Sequence, residues 1–254
     1  MYNDIFTVFG LTVHGYGLMI GIGTAIAMFW SQSRAKKKGL SDDLALSGIL
    51  WALLFGWSCA KLLYIITIWD SFLRNPLGAL GGEGFVVYGG IVGGVLGVWL
   101  CCKKNRVSFP AYADVLIPTV AQAQGFGRLG CFLAGCCYGK ACNSHLSVVF
   151  PAGSFAPAGV PLLPTQLFSA AADFLLAFIL VRVDRRSTKD GLLMPVYLML
   201  YSVGRFLIEF LRDDPRGSVG ALSTSQFIAI PMFLLALLWY RKSYAGKAAG
   251  AQTE

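Results

Sequence analysis

Two arginines set within otherwise apolar runs carry the strongest chemical signal in this chain: Arg128 in Gly125-Phe126-Gly127-Arg128-Leu129-Gly130, and Arg205 in Gly204-Arg205-Phe206-Leu207-Ile208-Glu209. A charged side chain at bilayer depth costs ~2.5–3.5 kcal/mol on insertion scales, so it faces a polar cavity, a partner or the interface. The guanidinium fork can donate two parallel hydrogen bonds to one phosphate, and two such forks suggest a site for an anionic lipid. The glycines around Arg128 let a headgroup or another backbone approach, and a glycine-rich helix contact with a snorkelling arginine is the other reading. Arg205 and Glu209 lie four residues apart on one helical face, where a structural ion pair is the alternative.

Weaker candidates flank these. His14 opens His14-Gly15-Tyr16-Gly17 at the outer start of the first apolar run, where His and Tyr also serve as interfacial anchors. Tyr88-Gly89-Gly90, followed by Gly93, Gly94 and Gly97, reads as a tight helix contact whose Tyr88 hydroxyl needs a partner. Lys61 is a third cation within an apolar run, while Asp114 reads as a charge near a helix start and Asp213 as a loop residue. Cys131, Cys136, Cys137 and Cys142, with His145, are soft ligand types but lack paired Cys-x-x-Cys spacing. No metal and no cofactor are expected there; a disulfide, a reactive thiol and small packing residues all stay open.

The elements that must position these residues follow from composition. The chain has 254 residues, 56% hydrophobic and 13% charged, with a mean hydropathy of +0.64, too apolar for a soluble domain. A spanning helix needs ~20 mostly apolar residues. Such stretches occur at Tyr16 to Trp30, Leu44 to Ile68, Phe85 to Cys102, Ala111 to Phe132, Thr165 to Val183, Leu192 to Leu211 and Gln226 to Tyr240. The expected fold is therefore an all-α integral membrane protein of about seven transmembrane helices, one transmembrane domain over 1–254, with 134–163 as a periplasmic loop region.

The net charge of +8 sits in short clusters between apolar runs, which argues for membrane topology and against nucleic acid. Basic groups follow the first, third, fifth and seventh runs, at Arg34 to Lys38, Lys103 to Arg106, Arg182 to Lys189 and Arg241 to Lys247. With positive charge inside, the amino terminus lies out and the carboxyl terminus in. Arg74, Lys140, Arg212 and Arg216 fall on the outer side. Met1 to Leu11 lacks a basic start and a cleavage site, so the first helix is expected to be retained.

Taken in order, these stretches resemble the prolipoprotein diacylglyceryl transferase family over nearly the whole chain. The resemblance rests on His14-Gly15-Tyr16-Gly17-Leu18-Met19, on Gly127-Arg128-Leu129-Gly130-Cys131-Phe132-Leu133-Ala134-Gly135 through Gly139, on Pro164-Thr165-Gln166-Leu167-Phe168, and on Arg205 through Arg212. It implies seven membrane helices with a small periplasmic head, in the bacterial inner membrane. It also implies transfer of the diacylglyceryl group of phosphatidylglycerol to the thiol of a lipobox cysteine in a prolipoprotein, releasing glycerol phosphate. Tyr16, Arg128, Gly139, Arg205 and Glu209 occupy matching motif positions, with His14 beside them. Tyr88 stands where that family has a histidine, Leu163 where it has a second, and Cys131 and Cys136 where it has Asn and Glu. Two readings therefore stand beside the leading one: a different acceptor, or binding and transport of an anionic lipid without turnover.

Overall fold

The computed structural model describes residues 4–8, 11–82, 84–187, 189–214 and 217–245; Arg216 and Lys247 lie outside them. Among the described residues the chain is an all-α membrane protein. Its helices are α1 (Gly15–Lys37), α2 (Asp42–Thr67), α3 (Trp69–Arg74), α4 (Pro76–Gly81), α5 (Val87–Lys104), α6 (Phe109–Ala134), α7 (Thr165–Arg186), α8 (Leu193–Glu209) and α9 (Thr224–Tyr240). Three two-stranded ribbons join them: β1 (Asp4–Val8) with β2 (Leu11–His14), β3 (Val148–Val149) with β4 (Pro161–Leu162), and β5 (Ser218–Val219) with β6 (Leu222–Ser223).

All seven expected apolar runs are helical. Four of the helices, α2, α5, α7 and α9 with its extension to Ser243, are long and apolar enough to cross a membrane. α8 is shorter, at 17 residues, while α1 carries a basic last turn and α6 a buried polar series at Asp114, Thr119 and Gln122. A breaker and a cap follow α1. Gly39 takes φ +69°, and the Ser41 hydroxyl accepts from Leu44 N at 3.3 Å to cap α2. The connection at 75–84 contains α4, which Asn75 caps by accepting from Gly78 N at 2.9 Å.

Two compact units divide the chain: Met28–Leu116, and Met1–Ala27 with Ile117–Glu254. In the Met28–Leu116 unit, α5 lies on α2 along Gly89, Gly93 and Gly97. A Cβ at these positions would overlap the carbonyl oxygens of Cys59, Phe55 and Trp51 respectively. Backbones packed this closely admit no side chain between them. Lys61 is buried in this unit, where its ammonium donates to Gly82 O at 2.6 Å and Gly84 O at 3.4 Å and lies over the Phe85 ring. The lysine closes the α4–α5 connection.

Arg34 is also buried, so it differs from the exposed lysines that follow it. Its Nη2 donates to Asp114 O at 2.9 Å and its Nε to Val115 O at 3.0 Å. Pro118 lies inside α6 and has no N–H to give the carbonyl four residues earlier, which is that of Asp114. Arg34 supplies the missing donor. Asp114 itself is 1% exposed, which corrects its reading as a charge at a helix start.

In the other unit the β1–β2 hairpin leads into α1. Between α6 and α7 the chain folds over an apolar cluster of Phe150, Ala156 and Leu162, with Phe132, Tyr138, Val148 and Val160 around it. The Ser223–Gln226 capping box starts α9, and Tyr197 on α8 donates to Gln124 Oε1 on α6 at 2.8 Å.

Candidate functional site

α6, α7 and α8 line an open-sided cavity of about 420 Å³ whose wall is apolar except for a short polar set. Arg128 comes from α6, Ser169 and Asp173 from α7, and Tyr201 and Arg205 from α8; Leu175, Leu176, Ile179, Leu207 and Ile208 supply much of the rest. The two arginines singled out by sequence thus share one cavity. Helical spacing accounts for the polar edges, since Ser169 and Asp173, like Tyr201 and Arg205, stand four apart on one face.

Each arginine is held by neighbours. Arg205 Nη1 lies 2.7 Å from Glu209 Oε2, with both side chains largely buried, and its Nη2 donates to Ser225 Oγ on α9 at 2.6 Å. The expected ion pair therefore exists. Arg128 lies within electrostatic reach of Tyr201 and Asp173. Asp173, 7% exposed, escaped sequence reasoning, although a lone acid in the apolar run of α7 was the available signal.

Beyond the cavity wall, Tyr16 at the start of α1 lies against Gly130, where a Cβ would meet its Cδ2 and its carbonyl oxygen at 3.1 Å. Arg128, Cys131, Cys136 and Cys137 all interact electrostatically with its hydroxyl. His14 ends β2 and is exposed. Gly139 has a packing reason of its own, because a Cβ there would meet Thr165 Cγ2 at 2.6 Å, Leu211 O at 2.7 Å and Leu163 O at 2.8 Å. Its N–H donates to Leu163 O at 2.9 Å. Tyr88 belongs to the Met28–Leu116 unit, on the first turn of α5, and is 53% exposed.

None of the seven cysteines is joined in a disulfide. The sulfurs of Cys131, Cys136 and Cys137 lie within 4.8 Å of one another. The thiols of Cys131 and Cys136, followed by the Arg212 guanidinium, hold Cys137 well below the usual thiol range. Arg212 was counted among the outer charges by sequence; it is buried and forks onto Asp214 at 2.9 and 3.1 Å.

Comparison with known proteins bears on the same residues. The prolipoprotein diacylglyceryl transferase family model matches residues 3–241. The chain belongs to this family. A relative named phosphatidylglycerol–prolipoprotein diacylglyceryl transferase 2, from Clostridium perfringens, is 45% identical over 235 residues, covering 92% of each chain. One from Clostridium tetani, named phosphatidylglycerol–prolipoprotein diacylglyceryl transferase, is 46% identical over 232 residues, covering 89% of this chain and 91% of its own. A Staphylococcus carnosus protein of the same name is 28% identical over 242 residues. Within the diacylglyceryl transferase family match lie both cavity arginines, the Glu209 partner and the three clustered thiols.

Proposed function

We propose that Arg128 and Arg205 hold the phosphate of phosphatidylglycerol in the α6–α7–α8 cavity while this membrane enzyme transfers the lipid's diacylglyceryl group to a prolipoprotein. The activity follows from family membership and from relatives named for it. The observation that carries the site is the pairing of two guanidinium groups in one otherwise apolar cavity. A phosphodiester needs the first and its acyl chains need the second.

In this reading the acceptor sulfur attacks the glyceryl carbon and the carbon–oxygen bond to phosphate breaks. Negative charge then grows on the departing glycerol phosphate. Donors already aimed at that charge lower the barrier without reorganising. Glu209 and Ser225 fix the plane of the Arg205 fork, and Asp173 and Tyr201 face Arg128. Tyr16 supplies a hydroxyl beside Arg128, with His14 and Gly139 at the edges of the same motifs.

The proposal extends to placement. Seven spans with the amino terminus out and the carboxyl terminus in agree with the four basic clusters, with 134–163 as the periplasmic region of one transmembrane domain in the bacterial inner membrane. The acceptor is the lipobox cysteine. Incubating purified protein with labelled phosphatidylglycerol and a lipobox peptide, and following glycerol phosphate and thioether separately, tests the assignment. Headgroup release without thioether would point to another acceptor, and neither product would leave lipid binding without turnover.

A further inference from the structure

Four residues separate Cys131 from Cys136, and Cys137 follows directly, a spacing that matches no paired ligand pattern. The local fold brings them together. α6 ends at Ala134, Gly135 turns the chain at φ +76°, and Cys136 N donates back to Cys131 O at 3.1 Å. Cys137 then sits at φ +64°, a conformation that a non-glycine residue keeps only where its surroundings impose it. Two buried α7 side chains impose it: Gln166 Nε2 donates to Cys136 O at 2.8 Å, and Thr165 Oγ1 to Cys137 O at 2.9 Å.

The outcome is three sulfurs within 4.8 Å of one another, none of them in a disulfide. Tetrahedral zinc with Zn–S bonds of ~2.3 Å requires sulfurs about 3.8 Å apart, a difference that side-chain torsions can absorb. Among the described residues no His, Asp, Glu or fourth Cys joins the group. Three protein ligands with a fourth position open is the arrangement of catalytic zinc, whereas structural zinc is closed by four. Arg212 hydrogen-bonds Cys137 and Arg128 precedes Cys131 by one helical turn, so two guanidinium groups offset the excess negative charge of three thiolates on one divalent ion.

We propose that Cys131, Cys136 and Cys137 bind one zinc ion as thiolates and leave its fourth position to the thiol of the acceptor cysteine. This rests on the transferase reading above. A free thiol, with a pKa of about 8.5, is mostly protonated at neutral pH, whereas a zinc-coordinated thiol is deprotonated outright. No imidazole lines the cavity, and its one carboxylate, Asp173, faces Arg128. On binding, the acceptor thiol loses its proton to water. A sulfur lone pair then forms the C–S bond to the glyceryl carbon as the C–O bond breaks, and that bond's electron pair leaves on glycerol phosphate. Zinc keeps its oxidation state. The cluster does not itself carry the diacylglyceryl group, because a thioether on the enzyme would leave no good leaving group for a second transfer.

The test uses the full chain in detergent, stripped of metal and titrated with Zn²⁺ alone against a chromophoric chelator. One equivalent should bind, with affinity falling at least about tenfold in each of Cys131→Ser, Cys136→Ser and Cys137→Ser. In the wild-type chain, zinc should also shield these three cysteines, but not Cys59, from maleimide labelling mapped by mass spectrometry, a readout that needs no variant to fold. After Cd²⁺ loading, a cysteine-containing acceptor peptide should raise the sulfur-to-metal charge-transfer band by about one third, as three thiolates become four, while its serine analogue should not. No bound zinc, or unchanged binding in all three variants, overturns the site. A bound metal whose band ignores the cysteine peptide overturns the acceptor role. Glycerol phosphate release followed in parallel separates the readings: thioether formation by metal-free protein removes the zinc inference and leaves the transferase standing.

Discussion

Arg205→Lys keeps a positive charge opposite Glu209 and removes the planar fork. In the structure Nη1 lies 2.7 Å from Glu209 Oε2 and Nη2 donates to Ser225 Oγ at 2.6 Å. One ammonium nitrogen can keep the carboxylate but cannot also reproduce the bond to Ser225 and a donor aimed at the lipid. Loss of the Ser225 bond costs roughly 0.5–1.5 kcal/mol of stability. Loss of a donor to the departing phosphate costs ~2.7–4 kcal/mol of transition-state stabilisation, or about 10²–10³ in turnover. The second effect dominates, so Arg205→Lys should accumulate near wild-type level and lose most activity, and Arg128→Lys should follow it. The assay is glycerol phosphate release from labelled phosphatidylglycerol, normalised to folded protein by fluorescence-detected size exclusion. Arg205→Glu, which sets two buried carboxylates face to face, should instead lower protein level, because breaking a buried pair costs about 3–5 kcal/mol. Wild-type turnover in both lysine variants would refute the phosphate assignment and leave the Arg205–Glu209 pair as a structural tie.

Further expectations can be checked alongside. Tyr16→Phe should reduce turnover by about tenfold without altering yield, the worth of one hydrogen bond in the site; unchanged turnover would place its hydroxyl outside the chemistry. Gly93→Ala, whose Cβ would overlap Phe55 O, should lower the thermal midpoint by about 1–3 kcal/mol equivalent, while Gly94→Ala, with only Ala52 O at 3.8 Å, should be nearly silent. Lys61→Met should destabilise by about 1–3 kcal/mol, read by thermal unfolding in detergent, because it leaves the Gly82 and Gly84 carbonyls without that donor. Reporter fusions after Lys38, Arg106 and Lys189 should read as cytoplasmic; two periplasmic results among them would invert the topology.

The helices were legible because long apolar runs end in basic residues or Gly and Pro, and the glycine stripe on α5 announced its close packing on α2. Arg128 and Arg205 were legible because a charge in an apolar run is costly wherever it falls. Their sharing of one cavity was not, since it depends on how α6 and α8 rotate about their axes. Asp173 was overlooked beside the more conspicuous arginines. The thiols were named from sequence but their convergence was not, because ligand patterns are read from spacing, whereas here a left-handed turn and two carbonyl anchors from α7 bring three of them together. Gly139 illustrates the opposite difficulty: its motif position suggested substrate contact, and the backbone around it supplies a steric reason for glycine.

The tie between Arg34 and α6 bears on how such a chain is assembled in lipid. On the proposed seven-span topology, α6 enters the bilayer with the Asp114 carbonyl lacking the intrahelical donor that Pro118 removes, and hydrocarbon offers no substitute. Arg34 has the converse difficulty, a cation with no aqueous outlet once buried. Neither segment is content alone, and each cancels the other's defect at 2.9 Å. α1 precedes α6 in the chain, so on that topology the bond from Arg34 to the Asp114 carbonyl forms only once the proline-bearing helix is in place. Insertion of α6 and docking onto α1 then become one event, in which a helix flaw works as an address label for its partner.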